Sequence, residues 1–140
     1  MAEITSPVGS SLALSKTGLD VLIANLQKMG YQVIGPQVKD NAIQYMPLRG
    51  AADLPRGYIS EQDAAHYRLV YTGHENYFDV TPGAHTWKQF LFPPVAQMAG
   101  FQLGVDGNWQ LEGGKFEHTS YAFVGVRPCE LAAIQVQDRV

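Results

Sequence analysis

The residue best suited to redox or metal chemistry in this chain is its one cysteine, Cys129, in the run GVRPCE at positions 125–130. An apolar, aromatic-rich stretch at positions 121–126 precedes it and a helical pattern follows, which predicts a strand-to-helix turn. Proline suits the first position of a helix because it has no N–H to leave unpaired, so Cys129 falls near the second position. The helix dipole and free N–H groups there favour a thiolate, the form that attacks electrophiles and binds iron or zinc.

Charged neighbours and the single thiol limit what this position can do. Arg127 adds positive charge near the sulfur, and Glu130 partly opposes it. We take Cys129 and Arg127 as candidate cofactor-binding residues, and Cys129 as a candidate metal ligand. A [4Fe–4S] cluster needs about four thiolates, so further ligands would have to lie beyond Val140 or in another chain.

Two other roles remain open for Cys129. It fits a small buried hydrophobic residue at the end of a core strand, since free cysteine is among the most buried residue types. It also fits a redox-sensing or nucleophilic thiol.

No other residues have the spacing of a site. The histidines lie too far apart for a local metal motif, so we expect surface or structural roles for them; they are His66, His74, His85 and His118. Neither a phosphate-binding glycine loop nor a nucleophile elbow is present in the sequence. The 140 residues therefore predict no complete catalytic constellation.

The elements that must position Cys129 form an α+β pattern, with α/β as the alternative. Residues 1–14 read as a flexible lead-in and residues 15–140 as one mixed-sheet domain. An apolar stripe at helical spacing predicts an N-terminal helix at 16–29, formed by Leu19, Leu22, Ile23, Leu26 and Met29. The apolar stretch at 121–126 and the helical pattern after Pro128 predict a strand, a turn and a helix at the C-terminal end, with Cys129 near the start of the helix.

Between these two ends the pattern favours strands. Turn residues separate strands predicted at 31–35, 42–46 and 66–72, whereas 47–65 reads as irregular. A short helix is predicted to begin at Thr86. Asp106-Gly107 predicts a hairpin between 101–105 and 108–111.

Composition excludes several classes of protein. The net charge is −3 and lysine and arginine are not clustered, which argues against nucleic-acid binding. No apolar run approaches the roughly 20 residues that span a bilayer, and no secretory signal is visible. One cysteine fits a reducing compartment, so the expected location is the cytoplasm.

Four stretches of the chain resemble one family of iron–sulfur electron-transfer subunits. Positions 123–134, FVGVRPCELAAI, are similar to the family signature FGVRPCDLAAI. KQFLFPP at 88–94 is similar to its K-x-F-L-F-P-P element, and LPRG at 54–57 with YRL at 67–69 resembles its central region. The family includes the beta subunit of cytoplasmic sulfhydrogenases and a corresponding subunit of anaerobic sulfite reductase. Glu130 stands where the family usually has aspartate, which keeps the charge.

The resemblance implies the N-terminal domain of a longer, 4Fe-4S dicluster subunit. Family members continue with further cysteines and a ferredoxin-like pair of cluster motifs, so we expect more chain after Val140. The implied role is non-catalytic electron transfer in a hydrogenase- or sulfite-reductase-like complex, between two partner subunits, one that binds flavin or NAD(P) and one that is catalytic. Cys129 would then join later cysteines in holding an additional [4Fe–4S] cluster. The alternative is a subunit-interaction module with a purely structural cysteine.

Overall fold

Helices and strands alternate irregularly along the chain, giving the mixed α+β fold that the sequence predicts. The computed structural model describes residues 7, 9–11, 13–81, 83, 85–95, 98–113 and 119–139. The elements are α1 (Lys16–Lys28), β1 (Gln32–Lys39), β2 (Ala42–Pro47), a 3-10 turn (Ala51–Asp53), β3 (Tyr58–Asp63), β4 (His66–Tyr71), α2 (Lys88–Leu91), β5 (Ala99–Leu103), β6 (Trp109–Gly113), β7 (Tyr121–Phe123) and α3 (Pro128–Gln137). No helix among the described residues is long and apolar enough to cross a bilayer.

The predicted lead-in is described only in part. Positions 1–6, 8 and 12 lie outside the described residues, and the remaining positions before Ser15 contain neither helix nor strand.

A three-stranded sheet carries the elements that matter for Cys129. Strand β1 lies in its middle, antiparallel to β2 and parallel to β7. Asp40 and Asn41, with φ of 51° and 56°, form the two-residue connection from β1 to β2. Such a turn matches the twist of the flanking strands, and Asn and Asp are among the residues that tolerate positive φ. Strands β3 and β4, and β5 and β6, form separate two-stranded hairpins.

Helix α1 covers one face of the central sheet. The side chain of Ser15 accepts the N–H of Gly18 at 3.1 Å and caps the helix. Ile23 is fully buried in the core, while Leu22 and Met29 are 43% and 71% exposed. The predicted stripe was therefore too wide. The narrow sheet covers only the side of α1 that carries Ile23. The core around Ile23 is formed by Leu19 and Leu26 of the same helix and by residues of other segments, which are Val33, Leu48, Ala51, Leu54, Ala122 and Val124.

The opposite face of the sheet is covered by the segment around α2. Trp87 is 2% exposed, and the Phe90 ring packs edge-on against Tyr121 and Phe123 at centroid distances of 5.5 and 6.0 Å. The backbone carbonyl of His85 accepts the N–H of Tyr45 at 3.0 Å. The sheet is thus covered on both faces, and β7 receives aromatic packing on one of them.

Strand β1 continues through Gly35-Pro36, where the sequence predicted a break. Pro36 pairs with Tyr45, whose N–H points away from β1 toward His85. In a non-hydrogen-bonded antiparallel pair, the backbone nitrogens of both residues point away from the partner strand. The Pro36 nitrogen, which has no hydrogen to donate, therefore faces away from β2, toward the side of β1 where β7 pairs. Strand β7 has already ended there, because its pairing stops at Ile34↔Phe123. The proline therefore costs β1 no hydrogen bond.

Two further predictions need correction. The stretch 47–65, predicted as irregular, contains the 3-10 turn and β3, which pairs with β4 from Tyr58↔Tyr71 to Asp63↔His66. Strand β3 was missed because its polar residues have little intrinsic preference for a strand. It forms because it pairs with β4 in a hairpin. The strand predicted at 121–126 is limited to Tyr121–Phe123, since the chain turns at Gly125.

Candidate functional site

The turn from β7 to α3 places Cys129 where the sequence predicts it. The N–H of Val124 donates to the carbonyl of Ile34 at 2.8 Å, which is the last link to β1. Arg127 is extended, with φ −84° and ψ 156°, and caps the helix that begins at Pro128. Cys129 is thus the second residue of α3, in its first turn, where the N–H groups of Glu130 and Leu131 both donate to the Arg127 carbonyl at 3.0 Å.

Gly125 makes this turn possible. Its φ is +78°, a conformation that residues with a Cβ rarely adopt. A Cβ there would lie 2.8 Å from Cε1 of Phe78 and 3.3 Å from Cδ of Pro36. Backbone angle and close approach therefore both require glycine immediately before the helix.

Glu130 caps the same helix from inside its first turn. Its Oε2 accepts the backbone N–H of Arg127 at 2.9 Å. The reciprocal half of a capping box is missing, because a guanidinium group has no acceptor atom. The carboxylate lies at the positive end of the helix dipole, which stabilises α3 and places a negative charge in the same turn as the sulfur.

Tyr45 holds Glu130 from the neighbouring strand. Its side chain is buried, and its hydroxyl lies 3.2 Å from Oε2 of Glu130 and 3.0 Å from the carbonyl of Gly125. Burial, and after it the Glu130 carboxylate, raise the pKa of the Tyr45 phenol well above its ordinary value. The phenol therefore remains a neutral donor at neutral pH. The sequence predicted the strand at 42–46 that carries Tyr45, but no local signal links Tyr45 to Glu130.

Arg127, a candidate cofactor-binding residue, makes a contact with a distant segment of the chain. Its guanidinium donates to the backbone carbonyl of Val80. It thereby ties the start of α3 to the segment between β4 and α2, across an open cavity of about 320 Å³. Arg127 has a structural contact at this turn, whatever else it binds. The cavity is lined by Pro36, Ile43, Tyr45, Phe78, Val80, Gly125, Val126, Arg127 and Pro128.

Cys129 itself is exposed, so it is not a buried core residue. In the described part of the chain, no group of three or more His, Cys, Asp and Glu side chains could hold a metal ion. A [4Fe–4S] cluster takes about four thiolates, and the sequence has one. These residues therefore do not fit a complete cluster, and Cys129 can supply a single ligand to one.

The three histidines in the described part of the chain do not form a second site. His66, His74 and His85 are exposed, as expected for surface residues. His118 lies outside the described residues.

Comparison with known proteins adds no family to this description. No protein-family model matches the chain, and no curated protein or solved structure matches it significantly. A functional proposal therefore depends on the exposed thiol at the start of α3 and on the sequence motif around it.

Proposed function

We propose that this chain is a non-catalytic electron-transfer domain of a cytoplasmic, hydrogenase- or sulfite-reductase-like redox complex. In this proposal Cys129 supplies one thiolate ligand to a [4Fe–4S] cluster. The observation that carries it is the exposed cysteine at the second position of α3, inside the GVRPCE motif. The partners are two further subunits, one that binds flavin or NAD(P) and one that is catalytic.

Cys129 lies at the end of α3 that favours negative charge, in the same turn as the Glu130 carboxylate. Iron binds the thiolate form of cysteine. Exposure leaves the sulfur accessible to a metal centre that other cysteines complete. When bound, the cluster would accept and release single electrons, and Cys129 would be one of its ligands.

The turn is also held in a fixed geometry. The Tyr45 hydroxyl has one proton and lies within hydrogen-bond distance of both Glu130 and the Gly125 carbonyl, and Arg127 donates to Val80, so two separate segments hold the start of α3. A cluster ligand benefits from such support, because a fixed sulfur position lowers the cost of ordering the site when the metal binds.

The proposal is tested on the longer protein that it implies, purified anaerobically as wild type and as Cys129→Ala. We expect the variant to lose about four iron atoms per chain, and with them one cluster signal in the EPR spectrum. Leu131→Ala, two residues further along α3 and 51% exposed in the wild type, is the matched control and should keep all its iron. Equal iron content and identical spectra in Cys129→Ala would remove Cys129 from the ligand set.

A subunit-interaction module is the second candidate, and exposed apolar side chains favour it. On α3 alone, Leu131 and Val136 are 51% and 62% exposed. Under this alternative Cys129→Ala keeps every cluster, whereas Leu131→Ala weakens the assembly of the complex. The same pair of variants therefore separates the two functions.

A further inference from the structure

The hairpin of β5 and β6 presents an apolar face to solvent. Opposed residues of an antiparallel pair share a face, and the register pairs Phe101 with Leu111 and Leu103 with Trp109. These four side chains, here called the hairpin face, are 68%, 66%, 60% and 70% exposed in that order. The alternate positions carry polar residues, since Gln102 pairs with Gln110 on the other side.

The hairpin is well formed at its tip but has little support elsewhere. The N–H of Gly104 donates to the carbonyl of Asn108 at 2.8 Å, and Asp106 accepts the N–H of Asn108 at 3.2 Å. A two-stranded hairpin is only marginally stable in water unless its apolar face is covered. The polar side with Gln102 and Gln110 can remain in solvent, so the cover is needed on the hairpin face.

We propose that the hairpin face docks against the same face of a second copy of this chain. Aromatic side chains offer about 150–250 Å² each and leucines somewhat less, so this face, 60–70% exposed, presents on the order of 500 Å². Two such faces in full contact would bury at most about 1,000 Å², the size of weak, transient interfaces. The area therefore suffices for a weak, reversible dimer.

The chemistry of the face also favours a second copy. All four of its side chains are uncharged, so two copies meet without opposing like charges. The same lack of charge gives a different protein no electrostatic complementarity by which to be selected. When the same patch of two copies is in contact, the interface has two-fold symmetry. No patch is then left free to bind a third chain, so the assembly stops at a dimer. The two hairpins would stack as layers about 10 Å apart.

The test is sedimentation velocity of the 140-residue chain over a range of concentrations. We expect a monomer–dimer equilibrium with a dissociation constant on the order of 1–100 µM. Phe101→Thr with Leu111→Thr keeps residues that favour strands and should weaken the dimer at least about tenfold. Gln102→Thr with Gln110→Thr changes the paired positions on the opposite side and should leave the dimer unchanged.

Tryptophan fluorescence gives a second readout that does not require a variant. Trp87 is 2% exposed and Trp109 is 70% exposed, so acrylamide quenching reports mainly on Trp109. Quenching should fall as concentration rises through the dissociation constant. A chain that stays monomeric with Trp109 fully quenchable would overturn the proposal and leave the face to a different polypeptide. Open-ended aggregation, or an undiminished dimer in the Phe101/Leu111 variant, would overturn it as well.

Discussion

The hydroxyl of Tyr45 lies 3.2 Å from Oε2 of Glu130, a residue 85 positions further along the chain. This contact joins the second strand of the central sheet to the first turn of the helix that carries Cys129. The same carboxylate oxygen accepts the N–H of Arg127, so one atom links the sheet, the turn and the helix. The position of the thiol therefore depends on a residue from the first half of the chain.

Replacing Tyr45 with phenylalanine removes this link and keeps most of the packing. A hydrogen bond to a charged group contributes about 1.5–3 kcal/mol, so Tyr45→Phe should lower the free energy of unfolding by about that amount. Urea denaturation monitored by circular dichroism measures the change. Tyr31→Phe, at a more exposed tyrosine, is the control and should shift stability by less than about 0.5 kcal/mol. Equal effects of the two variants would mean that the Tyr45 hydroxyl contributes nothing specific.

A double-mutant cycle isolates the contact itself. Glu130→Asp keeps a carboxylate in the first turn of α3 but withdraws it by one methylene from the Tyr45 hydroxyl. We expect Tyr45→Phe to cost at least about 1 kcal/mol less in the Glu130→Asp background than in the wild type. Additive costs in the cycle would show that the two side chains do not interact.

The raised pKa of Tyr45 predicts a loss of stability at alkaline pH. Unfolded tyrosine ionises near its ordinary pKa of about 10, whereas the folded phenol keeps its proton to higher pH. The folded state then binds more protons than the unfolded state, so the free energy of unfolding falls as pH rises above about 10. The contribution is fully present below that pH. Chemical denaturation from about pH 8 to 11 should show a steeper decline for the wild type than for Tyr45→Phe, and parallel curves would argue against it.

Gly125→Ala tests the turn before the helix. Gly73 has a similar φ of +73° but no atom within 4 Å of a Cβ position, so Gly73→Ala carries the backbone strain alone. The alanine at position 125 adds a clash at 2.8 Å with the Phe78 ring. We expect the free energy of unfolding to fall by about 1 kcal/mol in Gly73→Ala and by at least about 2 kcal/mol in Gly125→Ala, as measured by thermal or urea unfolding. Equal costs would show that the Phe78 ring moves aside freely.

Local signals predicted the start of α3 well, and contacts between distant residues were missed. Proline at the first helical position is a chain-local feature, so the sequence placed Cys129 correctly at the second position. The Asp106-Gly107 hairpin followed from turn chemistry in the same way. The Tyr45–Glu130 contact, the Arg127–Val80 contact and the passage of β1 through Pro36 all depend on which strands become neighbours. Spacing along the chain contains no information on that pairing.

The central claim, that Cys129 ligates a cluster, is tested most directly by alkylation of that thiol. Because Cys129 is exposed, iodoacetamide should modify it readily in the isolated 140-residue chain. In the longer, cluster-bearing protein that the proposal implies, we expect the thiol to be protected, and to become reactive when a chelator and an oxidant remove the iron. Mass spectrometry of the peptide containing Cys129 measures both states. Alkylation at the same rate before and after iron removal would contradict the claim.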